Sequence, residues 1–275
     1  MIIFLHIPKT GGGSLRYFME ETCDPYFSRF PGKKNVFSLI YGNEKIIIND
    51  KNIKDFSDKK GQPYIAGHFP YGIHNHIISE TETQYFTMLR DPIKRTVSSL
   101  RYCLGHGNPM ASPNTTSREF YKSSSVYEFL ERCLEKQICC NMITRQMSGI
   151  EDRDVFPHVP IEQLQKGSLF TPAYANLYPG FKYSNSEMND LFKSASENIK
   201  KFCFVGDFDN REKDFVNVSK IFNWTCKKDI PKAHSSPDIF SINESHLPIL
   251  EEMNKYDIKF YNETKKAPAP NGTRA

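Results

Sequence analysis

Apolar residues fall along the chain in two patterns, short unbroken runs and stripes with helical spacing, and these patterns alternate. The unbroken runs predict buried β-strands at residues 2–7, 45–48, 63–69, 83–92 and 202–206. The stripes predict α-helices at 14–22, 92–104, 187–200, 209–223 and 243–263, and two more within 125–147. Because strands alternate with helices, we expect an α/β fold with a parallel sheet covered on both faces.

Polar segments rich in glycine, proline and serine separate these elements. They predict loops at 105–117, 150–185 and 228–242. The chain has 275 residues and no internal repeat, and this length suits one large domain or two small ones. We expect a single domain over residues 1–264. The tail 265–275 is expected to be disordered.

Three unusual segments fall where predicted strands end, at residues 8–14, 67–69 and 90–92. Ligands of parallel α/β sheets bind beyond the carboxyl ends of the strands, so this coincidence is the first indication of a functional site. Asp91 is expected to cap the helix that follows the third segment, and Pro92 fits the first turn of that helix.

The first segment, HIPKTGGGSL at 6–15, predicts an anion-binding turn between a strand and a helix. Its three glycines let the backbone approach an anion closely, Lys9 adds a positive charge and Ser14 adds a hydroxyl. A plain tight turn is the alternative. The ordinary nucleotide loop places its lysine after the glycines, in G-x-x-x-x-G-K-[ST], whereas Lys9 precedes them.

The other two strand ends carry Arg90 and His68. A guanidinium at a strand end can grip a phosphate through two hydrogen bonds, and Ser98 on the next helix could add a hydroxyl; a structural ion pair with Asp91 or a neighbour is the alternative for Arg90. Lys94 and Arg95 are expected to be solvated helix charges. His68 after Gly67 suits a general base, although a lone histidine is more often structural.

Composition narrows the function only slightly. The net charge of +4 is mild, so it favours anionic ligands without requiring a nucleic-acid partner. No run approaches the roughly 18 apolar residues that a membrane span needs. His74, His76 and His106 lie in predicted loops without the spacing of metal ligands, and we expect no metal site.

Cysteines and glycosylation triplets bear on the compartment. The chain has 7 cysteines and no C-x-x-C pair, which favours reduced thiols in the core of a cytoplasmic protein. N-x-S/T triplets favour a secretory lumen instead, at Asn114, Asn217, Asn223, Asn243, Asn262 and Asn271.

Three segments in this order, HIPKTGGGSL, AGHF (66–69) and LRDPIKRTVSSL (89–100), resemble the carbohydrate sulfotransferases that use 3′-phosphoadenosine 5′-phosphosulfate (PAPS). The heparan sulfate 2-O-sulfotransferase and chondroitin/dermatan sulfotransferase group is the nearest in appearance. Three later segments also look like that family: NMITRQMSG (141–149), FVGDFDN (204–210) and EEMNKYDIKFY (251–261). The resemblance covers roughly residues 2–262 and implies a P-loop-like three-layer sandwich with a central parallel sheet flanked by helices.

The resemblance also implies roles for individual residues. Lys9 would stabilise the leaving phosphate and His68 would act as general base, while Arg90 and Ser98 would bind the 3′-phosphate of PAPS. Arg145 and Gln146 match a family stretch near the site, and Arg145 and His74 are weaker candidates for substrate binding. The 5′-phosphosulfate would lie in the loop formed by Lys9, Thr10, Gly11, Gly12, Gly13, Ser14 and Leu15. A late loop over the cofactor would contain Lys232, His234 and Ser235.

The expected reaction moves a sulfuryl group from PAPS to a hydroxyl, most often of a glycan, and leaves adenosine 3′,5′-bisphosphate. A sulfuryl group carries less negative charge than a phosphoryl group, so no metal is expected to be required. Two departures from the family stand out. Gly13 replaces a small polar residue, and the membrane anchor of Golgi members is absent, so we expect a soluble, cytoplasmic, microbial enzyme, with a Golgi-lumenal catalytic domain as the alternative.

Two other functions remain open at this stage. A P-loop small-molecule kinase would need a carboxylate for Mg²⁺ at a strand end near the loop. The segment FVGDFD offers Asp207 and Asp209 after a strand, but both lie late in the chain. A binding module that holds a sulfated or phosphorylated ligand without turnover is the non-enzymatic alternative. The oligomeric state is not predicted.

Overall fold

The structure is a computed structural model that describes residues 2–12, 14–15, 46–48, 64–67, 71–72, 74, 77–79, 82–106, 119–149, 182–223 and 238–266. The strands are β1 (Ile2–Leu5), β2 (Ile46–Ile48), β3 (Tyr64–Gly67), β4 (Ile77–Ser79), β5 (Gln84–Leu89) and β6 (Phe202–Asp207). The α-helices are α1 (Pro92–His106), α2 (Val126–Glu135), α3 (Met142–Ser148), α4 (Asn185–Asn198), α5 (Arg211–Ile221), α6 (Leu247–Met253) and α7 (Lys255–Lys266).

Four of the strands form one parallel sheet in the order β3-β1-β5-β6, and β2 pairs with β4 in a separate parallel ribbon. Leu5 lies level with Gly67 of β3 and with Thr87 of β5, and Leu89 lies level with Asp207 of β6. The carboxyl ends of β3, β1, β5 and β6 therefore lie along one edge of the sheet, as the sequence predicted. The predicted strands are present. β1 and β5 are shorter than predicted and β6 extends to Asp207, whereas residues 45, 63, 68 and 69 of the other two predicted strands lie outside the described residues.

Helices cover both faces of this sheet. Because side chains alternate along a strand, Ile3 and Leu5 point to one face while Ile2 and Phe4 point to the other. The first face packs on residues of α3, α4 and α7, and the second packs on Phe215 and Val218 of α5. This α/β arrangement confirms the predicted parallel sheet flanked by helices.

A second core lies beside the sheet, between helices α1, α2 and α6. Its fully buried members include Leu100, Phe129, Leu130, Leu250 and Met253. Four cysteines are also buried there, as the sequence predicted for core thiols: Cys103, Cys133, Cys139 and Cys140. This cluster fixes α1, which runs from the sheet edge into the helical layer.

The prediction that Arg95 is a solvated helix charge is wrong, whereas Lys94 is exposed. Arg95 has an exposed fraction of 0% and lies 3.9 Å from the carboxylate of Asp257 on α7. Its guanidinium also donates to the Thr96 hydroxyl at 2.6 Å and to the Cys139 carbonyl at 3.2 Å. Helical periodicity explains the error, because Arg95 shares the inward stripe of α1 with Ser99 and Cys103.

The single helix predicted over 243–263 is also wrong, because the chain forms two helices separated at Asn254. The buried Asn254 side chain accepts from the Thr96 hydroxyl at 2.7 Å and donates to the Leu250 carbonyl at 2.8 Å. The side chain thus takes a carbonyl at the end of α6, where a helix would otherwise continue. Asn254 ties the junction of α6 and α7 to α1.

The remaining predicted helices are observed where they can be compared. Helices α2 and α3 are the two expected within 125–147, and Asp91 caps α1 by accepting from the Lys94 N–H at 2.8 Å. Of the helix predicted at 14–22, only residues 14 and 15 are described, and both are helical. Of the predicted loops at 105–117, 150–185 and 228–242, residues 107–117, 150–181 and 228–237 lie outside the described residues, as does the tail beyond Lys266. The first loop prediction is wrong at its start, because α1 continues through residues 105 and 106.

Candidate functional site

The loop after β1 is held in a strained shape by its own hydrogen bonds. Lys9 has a φ of 68° and Gly11 a φ of 82°, and the left-handed region is costly for a lysine. The Thr10 hydroxyl donates to the Ile7 carbonyl at 2.8 Å, and the Leu15 N–H donates to the Gly11 carbonyl at 3.1 Å. The Leu15 side chain is buried in the core, which anchors the end of the loop. The Thr10 hydroxyl and the Leu15 N–H thus hold the loop in shape through their hydrogen bonds.

Close contacts explain two of the three glycines. A Cβ on Gly11 would lie 2.5 Å from the ring of Phe208, and a Cβ on Gly12 would collide with the ring of His6. Both positions therefore require glycine for packing, and Gly11 requires it for its φ as well. Gly13 lies outside the described residues.

Lys9 and Arg90 meet at the edge of the sheet, where β1 and β5 lie side by side. The Arg90 guanidinium donates to the Lys9 carbonyl at 3.1 Å, and the Lys9 ammonium lies 4.3 Å from the centre of the Tyr102 ring on α1. Burial lowers the pKa of Lys9, and the positive charge of Arg90 lowers it further. Within the part of the chain that the structure describes, neither cation forms an ion pair with a carboxylate.

Arg90 also rests on Phe208, which follows β6. Because Leu89 and Asp207 lie level in the sheet, the residues after them are neighbours, and the Arg90 guanidinium carbon lies 4.4 Å from the Phe208 ring centre. Burial lowers the pKa of Arg90, although the nearby Asp209 carboxylate opposes this effect.

Two buried polar atoms beside this loop have no hydrogen-bond partner among the described residues. They are the Ser14 hydroxyl oxygen and the Arg90 Nε. Ser14 is 6% exposed, and an unpaired buried polar atom costs free energy in the absence of a ligand. Donors of this kind, next to two half-buried cations, fit an anion with several oxygen acceptors.

Helix α1 presents the predicted Ser98 towards the same region. Ser98 is half-buried and lies one turn before Tyr102, so the two residues share a face of the helix. Since the Tyr102 ring lies against the Lys9 ammonium, that face borders the loop. The structure therefore brings Lys9, Ser14, Arg90 and Ser98 to one edge of the sheet.

The two histidine candidates have different outcomes. His68 lies outside the described residues, although Gly67, which precedes it, ends β3 level with Leu5. His74 is described, and its Nδ1 lies 2.8 Å from the Tyr85 hydroxyl near the start of β5. Its ring also meets Tyr71 edge-on, which places His74 in an aromatic cluster.

The two α3 candidates are adjacent but differ in their contacts. The Arg145 guanidinium carbon lies 4.3 Å from the Tyr183 ring centre, and burial lowers the pKa of Arg145. Gln146, in contrast, donates to the His6 carbonyl at 3.0 Å. Gln146 thus braces the start of the loop, a role that the sequence did not assign to it.

Carboxylates also lie near the site, because β6 is the neighbour of β5. The late position of Asp207 and Asp209 in the chain is therefore no argument against their lying near the loop after β1. Asp207 accepts from Tyr261 at 2.8 Å and pairs with Lys265 at 2.7 Å, while Asp209 pairs with Lys94 at 3.6 Å. Among the described residues, no group of three or more His, Cys, Asp or Glu side chains could hold a metal ion.

Sequence reasoning missed two residues that shape this site, namely Phe208 and Tyr102, and it placed Gln146 near the site without a role. The signal for Phe208 was present, since FVGDFDN ends a predicted strand and a parallel sheet aligns strand ends. Tyr102 could have been found from helical spacing, because it lies one turn beyond Ser98. Chemically, the assembled site offers a glycine turn, two cations and unpaired donors, a combination suited to a phosphate or sulfate group.

A search of protein-family models and of curated proteins found no match to this chain. Among the helices that the structure describes, none is both long and apolar enough to cross a membrane.

Proposed function

We propose that the protein is a sulfotransferase that moves a sulfuryl group from PAPS to an acceptor hydroxyl, in a P-loop-like fold. The observation that carries this proposal is the contact between Arg90 and Lys9. It joins the Arg90 side chain of one strand end to the Lys9 backbone of the neighbouring strand end, beside a glycine turn, with Ser14 and Arg90 donors left unpaired. A donor with phosphates at two positions suits a site whose cations come from two strands.

Lys9 has the central role in this reaction. As the acceptor oxygen attacks sulfur, the bond from sulfur to the bridging oxygen breaks, and negative charge grows on the departing 5′-phosphate. The Lys9 ammonium stabilises that charge, because a cation in a partly buried site acts more strongly than one in water. This assignment explains why the lysine precedes the glycines, which are left to surround the phosphate.

Arg90 and Ser98 bind the 3′-phosphate of the donor. The aromatic support of Phe208 and the bond to the Lys9 carbonyl hold the Arg90 guanidinium in one orientation, which favours recognition of a phosphate over a diffuse charge. His68 takes the proton from the acceptor hydroxyl. The acceptor is a hydroxyl of a saccharide, and the proposal assigns no metal to the reaction.

The decisive experiment is isothermal titration with adenosine 3′,5′-bisphosphate, and with ATP and Mg²⁺ in parallel. Binding of the bisphosphate without metal is expected. Binding of ATP and Mg²⁺ alone would reject the sulfotransferase in favour of a kinase. A transfer assay with labelled PAPS and a panel of polysaccharides, glycolipids and phenols then separates an enzyme from a binding module that holds the donor without turnover.

A further inference from the structure

Phe208 lies between two arginines, and only one of them has a role in the proposal above. The guanidinium carbons of Arg90 and Arg211 lie 4.4 Å and 4.8 Å from the centre of the same Phe208 ring. Arg211 also donates to the Phe208 carbonyl at 3.3 Å. The two like charges are therefore no further apart than the sum of their distances to the ring.

Two features of this placement of Arg211 favour a nearby anion. Arg211 is the first residue of α5, where the positive end of the helix disfavours a cation, although the acidic Glu212 and Asp214 share that first turn. Its charge also adds to the positive charge around Arg90, which is half-buried. Among the described residues, Arg211 forms no ion pair that would offset these effects.

Nearby groups show that the arrangement is open towards a ligand. Two carboxylates act on Arg90, with Asp209 having the larger effect and Asp91 the smaller, but Asp209 is paired with Lys94 and half exposed, so it neutralises the arginines only in part. The Arg90 Nε is buried and has no hydrogen-bond partner among the described residues. Two guanidinium groups with free donors match a doubly charged phosphate monoester better than a singly charged diester.

We propose that Arg211 is a second arginine of the phosphate site, held beside Arg90 by the ring of Phe208, and that the pair selects a donor carrying a phosphate monoester. This inference rests on the proposed function and adds a specificity-determining residue to it. The sequence segment after β6 thereby joins the loop after β1 and the segment after β5 in binding the donor.

The test compares the affinities of adenosine 3′,5′-bisphosphate and adenosine 5′-phosphate, which differ only in the 3′-phosphate. Arg211→Ala is expected to weaken binding of the bisphosphate by about tenfold or more, because a charge-assisted hydrogen bond is lost, and to leave adenosine 5′-phosphate within about twofold. Lys220→Ala is the matched control, since it removes the same charge from the exposed last turn of α5. Arg211→Lys keeps the charge and should recover part of the loss.

Each outcome has a separate meaning. If the wild-type protein binds neither nucleotide, the proposed function fails. If the wild type prefers the bisphosphate and Arg211→Ala keeps that preference, the role of Arg211 is overturned while the sulfotransferase stands. An equal loss for both nucleotides, or an equal effect of Lys220→Ala, would also overturn it, because Arg211 would then act only through the fold or the overall charge.

Discussion

Arg90 and Arg95 are five positions apart on one segment, yet the protein uses them in opposite ways. Arg95 is fully buried, and its guanidinium has a carboxylate, a hydroxyl and a carbonyl around it. Arg90 is half-buried, donates to one carbonyl and forms no ion pair with a carboxylate in the described part of the chain, whereas the Nε of both arginines is buried without a hydrogen-bond partner there. The difference teaches that charge alone does not mark a site, whereas a partly buried charge without a paired carboxylate does.

The same contrast separates the neighbourhoods of the two arginines. Asp257, the partner of Arg95, accepts from the backbone N–H groups of Ile143 and Thr144 at 3.0 Å and 2.7 Å. It thereby starts α3 and joins it to α1 and α7. Around Arg90, by comparison, the contacts are with an aromatic ring and a strained loop. One arginine belongs to the packing of the helices, and the other is the one that we assign to the proposed ligand site.

The largest effect should come from breaking the buried pair. Arg95→Ala is expected to lower the free energy of unfolding by about 3–5 kcal/mol, because Asp257 is left buried without its counter-charge. Urea denaturation followed by circular dichroism measures the loss. Arg90→Ala is the matched control and should change stability by no more than about 1 kcal/mol.

Equal losses for these two variants would contradict the division into a structural and a functional arginine. If Arg95→Ala does not fold, Arg95→Lys keeps the charge and allows the comparison. It should still be less stable than Arg90→Lys, since the planar guanidinium makes contacts that an ammonium cannot reproduce.

The next effect should appear in catalysis and leave the fold intact. Lys9→Ala is expected to lower the rate of sulfuryl transfer by about 10²-fold or more, because the leaving phosphate loses its cation. His68→Ala should cause a loss of about 10²-fold or more as well, if it is the general base. Single-turnover kinetics with labelled PAPS measures both rates.

The control for these rates is Lys200→Ala. Lys200 is exposed and lies before β6, at the opposite edge of the sheet, so its replacement should leave the rate within about twofold. Full activity in His68→Ala would remove that residue as the base. Full activity in Lys9→Ala would remove the basis of the proposed mechanism.

The sequence predicted the sheet and the three strand ends well, because these depend on strong local patterns. Unbroken apolar runs locate strands, and the residues after them are then known to share one edge of a parallel sheet. Lys9 and Arg90 could therefore be placed together before the structure was known. In the structure the two residues are in contact, because the Arg90 guanidinium donates to the Lys9 carbonyl.

Arg95, Asn254 and Phe208 show what the sequence could not predict. Arg95 became structural only because Asp257, more than 160 positions later, packs opposite it. Asn254 ended a helix through a partner on another helix. Phe208 entered the site because β6 lies next to β5, and strand order is set by long-range packing that periodicity does not record.

A smaller effect is expected when the pH is changed. The affinity of the proposed site for an anion should fall as the pH rises. The lowered pKa of Lys9 means that this group loses its proton at a lower pH than an ordinary lysine does. Anion affinity that depends on its charge is present below this pKa and is lost as the pH rises through it. We expect binding of adenosine 3′,5′-bisphosphate to weaken as the pH rises towards 10.5, the ordinary pKa of a lysine, and to do so below that pH.

Lys9→Arg supplies the control for the pH experiment. Arginine remains charged throughout that range, so the decline in affinity should be smaller than in the wild-type protein. Titration calorimetry at each pH measures both proteins. The same decline in both would assign the pH dependence to another group.

The smallest effect concerns the backbone strain at Lys9. It should appear as a difference in stability between two variants that both lose anion binding. At a φ of 68°, a residue with a Cβ is disfavoured, whereas glycine is not. Lys9→Gly should therefore be more stable than Lys9→Ala by about 0.5–1 kcal/mol, after the greater freedom of glycine in the unfolded chain is included. Thermal denaturation of the two variants measures this difference, and both should lose anion binding alike. A Lys9→Gly protein that is less stable than Lys9→Ala would show that the loop is relaxed. The expected result would mean that residue 9 carries a Cβ at a backbone position that favours glycine, which makes sense only if the ammonium serves the ligand.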